Sequence, residues 1–66
     1  MNITLNGKLK EFLPALNLKS AVEQFRKDKT PVVAELNGEI IKLPRWEETT
    51  LKEGDIVELV SFVGGG

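Results

Sequence analysis

Two Asn-Gly dipeptides, Asn6-Gly7 and Asn37-Gly38, punctuate this chain, each flanked by short segments of strand-like composition. Asparagine and glycine both tolerate positive φ, which a two-residue hairpin turn demands at its centre. Each dipeptide therefore predicts an antiparallel pair of strands. In the first pair, Asn2-Ile3-Thr4-Leu5-Asn6 alternates polar and apolar residues, which puts Ile3 and Leu5 on one buried face. Lys8 to Leu13 is the return strand, ended by Pro14. In the second pair, Val32 to Leu36 leads into the turn and Glu39 to Leu43 returns from it. Asn37-Gly38 reads as a turn with little room for another role.

Between the hairpins lies a helix. Leu18, Ala21, Val22 and Phe25 recur at the spacing that lines up one apolar stripe. Asn17 is a good N-cap directly before it. Ser20 with Glu23 offers a capping box that would start the helix a turn later. The Asn17 start is preferred because it keeps Leu18 in the stripe, and Thr30-Pro31 closes the segment. After the second hairpin, Pro44 to Leu51 reads as irregular, with a single helical turn around Arg45-Trp46. Lys52-Glu53-Gly54-Asp55 is a turn, and Ile56 to Val63 is the last strand.

This order predicts an α+β layout: one mixed sheet of about five strands with a single helix packed across it. A helix of this length can carry a right-handed crossover between parallel strands. The expected pairing sets the first and last strands side by side and parallel at the sheet centre. The residues after the last strand are then left free.

Composition removes most chemistry. At 66 residues the chain is one domain near the lower size limit for folding without staples. It has neither cysteine nor histidine, so it lacks disulfides, side-chain thiol chemistry and the commonest metal ligand and general base. With 9 basic and 10 acidic residues it makes no electrostatic case for nucleic acid or an anionic membrane. No apolar run approaches the roughly 20 residues of a membrane span, and Met1-Asn2-Ile3-Thr4 is no signal peptide. A soluble, cytoplasmic chain, monomeric when free, is expected.

The ending Val63-Gly64-Gly65-Gly66 has no folding explanation, because glycine loses the most backbone freedom on ordering. Glycines suit a terminus that reaches into a narrow enzyme channel as bare backbone. The expected division is a folded body over 1–63 and a flexible tail over 64–66, with the Gly66 carboxylate as the reacting group. In the last strand Glu58 is expected to face solvent, so Val57 and Leu59 point inward. Val60 and Phe62 share the face of Glu58 by the period of two, giving an apolar docking surface beside the tail. The competing account has Phe62 folding over a sheet edge. Trp46 is expected to pack over the connector rather than touch a partner. Arg26-Lys27-Asp28-Lys29 reads as a solvated helix end, and Glu47-Glu48 lacks the supporting ligands of a metal site.

Taken together, the Asn6-Gly7 hairpin, the helix stripe, Ala34 to Ile41, Arg45-Trp46, Glu53 to Leu59 and Phe62 to Gly66 carry a resemblance. Over its whole length the chain resembles the ThiS family of thiamine-biosynthesis sulfur carriers, which are ubiquitin-like β-grasp proteins. Gly65-Gly66 matches the ending that family requires, while Gly64 occupies a tolerant position. The resemblance implies a carrier and not an enzyme. A partner ThiF-like adenylyltransferase would bind the body, thread Gly64 and Gly65, and consume ATP with Mg²⁺ to adenylate Gly66. Sulfur from a cysteine desulfurase relay would then displace AMP and leave a thiocarboxylate. A ThiG-like thiazole synthase would accept that sulfur, and no cofactor would be bound by the carrier. Carriers for molybdopterin synthesis, tRNA thiolation or protein conjugation share the fold and the ending. The alternative of another class is a β-grasp binding module whose glycines are inert.

Overall fold

Both Asn-Gly dipeptides close hairpins in the computed structural model, which describes residues 1–26 and 31–61. Asn6 and Asn37 adopt φ of 49° and 52°, and Gly7 and Gly38 follow at 80° and 88°. The first turn joins β1 (Asn2–Leu5) to β2 (Lys8–Glu11), and the second joins β3 (Val32–Leu36) to β4 (Glu39–Ile41). The helix α1 (Leu18–Phe25) lies between them. A single helical turn, α2 (Leu43–Trp46), and the last strand, β5 (Ile56–Ser61), complete the order.

The sheet runs β2-β1-β5-β3-β4. β5 therefore sits between the two hairpins, parallel to β1 through Thr4↔Ile56 and Leu5↔Val57, and antiparallel to β3 from Val32↔Ser61 to Leu36↔Val57. The expected central pairing of first and last strands holds, and the mixed sheet with one helix across it is the β-grasp arrangement.

Two strand ends differ from the sequence expectation. β2 stops at Glu11, short of Leu13, because Glu11 is already opposite Asn2 and the partner strand has run out. Phe12 makes one last exchange with Met1, donating its N–H to the Met1 carbonyl at 2.8 Å. The Met1 ammonium returns a bond to the Phe12 carbonyl at 2.6 Å. Pro14 and Ala15, the latter at φ 65°, then turn the chain toward the helix. β4 likewise stops at Ile41, and Leu43 already belongs to α2. Pro44 falls in the first turn of that helix, where a missing N–H leaves no bond unmade.

Asn17 starts α1, its Oδ1 accepting the Ser20 N–H at 2.8 Å. Ser20 therefore lies inside the first turn and is not the cap. The stripe turns inward, with Leu18, Ala21 and Val22 buried and Phe25 partly so. It meets Ile3 and Leu5 of β1, Ala34 of β3, and Val57 and Leu59 of β5. Burying each large aliphatic side chain contributes about 1.5–3 kcal/mol, which in a domain this small makes every one of them count.

Trp46 and Leu51 close the core from the connector. Trp46 is buried, and its Nε1–H donates to the Ile41 carbonyl at 2.7 Å, so it packs over the connector as expected. The connector is tied to the chain before α1 by Leu18 N–H to the Thr49 carbonyl and Leu51 N–H to the Leu16 carbonyl. Gly54, at φ 85°, turns the chain into β5. Among the described residues no helix is long and apolar enough to cross a membrane.

Candidate functional site

β5 alternates as its sequence requires. Val57 and Leu59 are buried, whereas Ile56, Glu58 and Val60 are exposed on the face away from α1. Glu58 and Val60 thus stand where the parity of the strand predicts them. Phe62, Val63 and the three glycines Gly64, Gly65 and Gly66 lie outside the described residues, as do Lys27, Asp28 and Lys29.

Directly opposed residues on paired strands share a face, so the register extends this surface across the sheet. Val33 lies opposite Val60 and Glu35 opposite Glu58. Ile40 lies opposite Glu35 on β4, and Leu9 lies opposite Thr4 on β2. Leu9, Ile40, Ile56 and Val60 each leave half or more of their surface to solvent. The result is an apolar face with Glu58 and Glu35 side by side within it. Sequence reasoning found Glu58 and Val60 but not Val33, Glu35, Ile40, Ile56 or Leu9. The same period of two, applied to β3 and β4 with their register, is the signal that places them.

β5 is held from both flanks. On the β1 side, the Asn6 N–H donates to the Val57 carbonyl at 2.9 Å, and Asn6 Oδ1 accepts the Leu59 N–H at 2.7 Å. On the β3 side, the Asn37 N–H donates to the Ile56 carbonyl at 2.7 Å, and Asn37 Oδ1 accepts the Ile56 N–H at 2.9 Å. Asn37 Nδ2 also donates to Asp55 Oδ1 at 3.1 Å. Asn37 therefore does more than turn the chain, which corrects the reading of Asn37-Gly38 as a turn alone.

β1 pairing ends at Leu5, so Val60 and Ser61 pair only with β3. The described part of the chain ends at Ser61 in this central strand, next to the exposed Val60.

Elsewhere two ion pairs lie on the surface of the described residues. Glu47 lies 3.8 Å from Lys19 and Glu48 3.2 Å from Arg45, all substantially exposed. Such pairs contribute little to stability. Among the described residues no group of histidine, cysteine or carboxylate side chains is arranged to hold a metal ion.

Comparison with known proteins converges on one family. The model of the ThiS family matches residues 3–66. The sulfur carrier protein ThiS of Bacillus subtilis is 34% identical over 65 residues, covering 97% of this chain and 98% of that protein. The thiazole synthase of Paramagnetospirillum magneticum is 27% identical over 66 residues, and this chain spans 20% of its length. The crystal structure of the thiamine biosynthesis protein ThiS from Geobacter metallireducens superposes with a TM-score of 0.79 at 36% identity, covering all of both chains. A solution structure of a thiamine biosynthesis protein from the same organism gives 0.80 at 36% identity, covering all of this chain and 88% of that one.

Proposed function

The chain belongs to the ThiS family, and from that premise we propose that it is a sulfur carrier of thiamine biosynthesis whose reacting group is the Gly66 carboxylate. The observation that carries this reading is the extent of the family match, which spans residues 3–66, from the first strand to Gly66. The fold supports it physically, because the exposed apolar face and Ser61, which precedes the tail in sequence, adjoin on β5.

The chemistry is that of carboxylate activation. A Gly66 carboxylate oxygen attacks the α-phosphorus of ATP, forming an acyl-adenylate and releasing pyrophosphate. Mg²⁺ held by the adenylyltransferase offsets the phosphate charge. The terminal sulfur of a persulfide supplied by a cysteine desulfurase relay then displaces AMP to give an acyl disulfide. Attack of a thiol on its outer sulfur releases the terminal thiocarboxylate and a disulfide. Thiazole synthase takes up the sulfur and the carboxylate returns. Similarity to a segment of the P. magneticum thiazole synthase supports that acceptor.

In this scheme the chain is a co-substrate, and its partners do the catalysis. Its work is presentation: Glu58, Val60 and Phe62 dock the partner while Gly64 and Gly65 thread Gly66 to the reacting centre. Glycine at 64 and 65 leaves no Cβ to obstruct a narrow channel.

Intact-protein mass spectrometry tests the proposal. The full chain is incubated with a ThiF-like adenylyltransferase, Mg-ATP, a cysteine desulfurase and cysteine, beside a chain lacking Gly65-Gly66. A mass gain matching one oxygen replaced by sulfur, confined to the full chain, is the expected result. Thiazole synthase with its substrates should then reverse it. Absence of both adenylate and thiocarboxylate would leave a β-grasp binding module as the better account.

A further inference from the structure

The open face of the sheet carries strand charges of one sign. Glu11, Glu35 and Glu58 lie on it, whereas Lys8 and Lys10 pair with Leu5 and Ile3 and so fall on the helix side. Glu35 and Glu58 are directly opposite each other on neighbouring antiparallel strands, a placement that brings their Cβ atoms to about 5 Å. Neither carboxylate has an ion pair or a side-chain hydrogen bond among the described residues. Ile56 and Val60 flank Glu58 along β5, Val33 precedes Glu35 on β3, and Ile40 lies across from Glu35 on β4.

Folding gains nothing from this pair, since like charges directly across a ladder destabilise it. A threonine or lysine at either position would serve the sheet better. Binding changes the balance. An apolar partner surface laid over the surrounding residues would strip water from both carboxylates, which is costly unless that surface brings positive charge. A guanidinium suits the place: it stays charged, it is planar, and its five N–H donors can serve two carboxylates at once.

Resting on the reading that this face docks the adenylyltransferase, we infer that Glu35 and Glu58 together receive an arginine side chain that the enzyme presents from an apolar surround. The acidic pair selects the partner and fixes its register over β5, while the apolar residues around it exclude water from the contact.

Titration calorimetry of the full chain against a ThiF-like adenylyltransferase provides the test, with the Glu35→Gln/Glu58→Gln double variant beside Val60→Asp. The double variant is expected to bind at least tenfold more weakly, with a flatter dependence on salt. Its own urea midpoint should rise, because the repulsion within the sheet is relieved. Loss of binding in Val60→Asp with unchanged binding in the double variant would keep the docking face and overturn the arginine receptor. Unchanged binding in both would remove the docking reading as well. Self-association of the free chain that the double variant abolishes would assign the face to a second copy instead, and also overturn the inference.

Discussion

The side-chain Oδ1 of Asn6 accepts the backbone N–H of Leu59 at 2.7 Å, across 53 residues of sequence. In a parallel ladder that N–H would next meet the main-chain carbonyl of Asn6, but the hairpin has begun to turn there. The side-chain amide supplies the oxygen in its stead. Asn37 repeats the device on the antiparallel flank, where its Oδ1 accepts the Ile56 N–H. One residue type thus gives each turn its positive φ and lengthens the ladder by a bond.

Asn6→Gly separates these two contributions, since glycine keeps the turn backbone and removes the oxygen. The half-buried Leu59 N–H then lacks its acceptor, and stability should fall by about 1–3 kcal/mol in urea unfolding. Asn6→Asp, which retains an oxygen, should lose distinctly less. Asn37→Gly acts at a more exposed bond and should cost no more than about 1 kcal/mol. Equal losses for glycine and aspartate at position 6 would show that the hydrogen bond is not what matters there.

The helix start gives a second contrast. Asn17→Ala removes the acceptor for the Ser20 N–H and should cost about 0.5–2 kcal/mol. Ser20→Ala leaves the cap in place and should stay within about 0.5 kcal/mol. Paired thermal or urea melts decide this, and a larger loss at Ser20 would transfer the cap to that residue.

Trp46 joins the connector to the core twice, through its ring and through the 2.7 Å bond to the Ile41 carbonyl. Trp46→Phe keeps most of the packing and should lose about 1 kcal/mol. Trp46→Ala should lose about 3–5 kcal/mol, a large share of what a domain of this size possesses. Circular dichroism melts of the two variants should therefore differ sharply. Similar melting would place the weight of the residue on the hydrogen bond alone.

Ala15 is the described non-glycine residue with a φ of 65° and no amide side chain to ease it. Left-handed backbone costs such a residue about 1–2 kcal/mol, which exceeds the roughly 0.4–1 kcal/mol that glycine loses through a freer unfolded chain. Ala15→Gly should consequently raise the unfolding midpoint. A lowered midpoint would mean that the methyl group contributes packing that outweighs its strain.

The strand order was legible because Asn6-Gly7, Asn37-Gly38 and the stripe from Leu18 to Phe25 are local signals that leave few ways to assemble a sheet. The orientation of Glu58 and Val60 followed from parity within one strand. The end of β2 was not legible, because Leu13 is as strand-compatible as Leu9. What stops the ladder at Glu11 is the length of the strand opposite, a fact about pairing rather than composition. The Glu35–Glu58 opposition was hidden for the same reason: each glutamate is unremarkable in its own strand, and only register makes them neighbours. The second role of Asn6 and Asn37 likewise depends on a partner far away in sequence. Candidate positions Phe62, Gly64, Gly65 and Gly66 fall beyond the described residues, so their roles rest on sequence, family and the proposed chemistry.

The placement of β5 between β1 and β3 bears on how the cell comes to hold working molecules. The sheet cannot be completed until its last-made strand arrives, and closure of such distant pairings is a slow, all-or-none event. A nascent or clipped chain ending before Ile56 has two hairpins and no centre to join them. Folding therefore requires a chain that extends through β5: any molecule with an intact sheet already carries Ile56 to Ser61. Copies cut before Ile56, lacking the sheet centre, would be left to proteases.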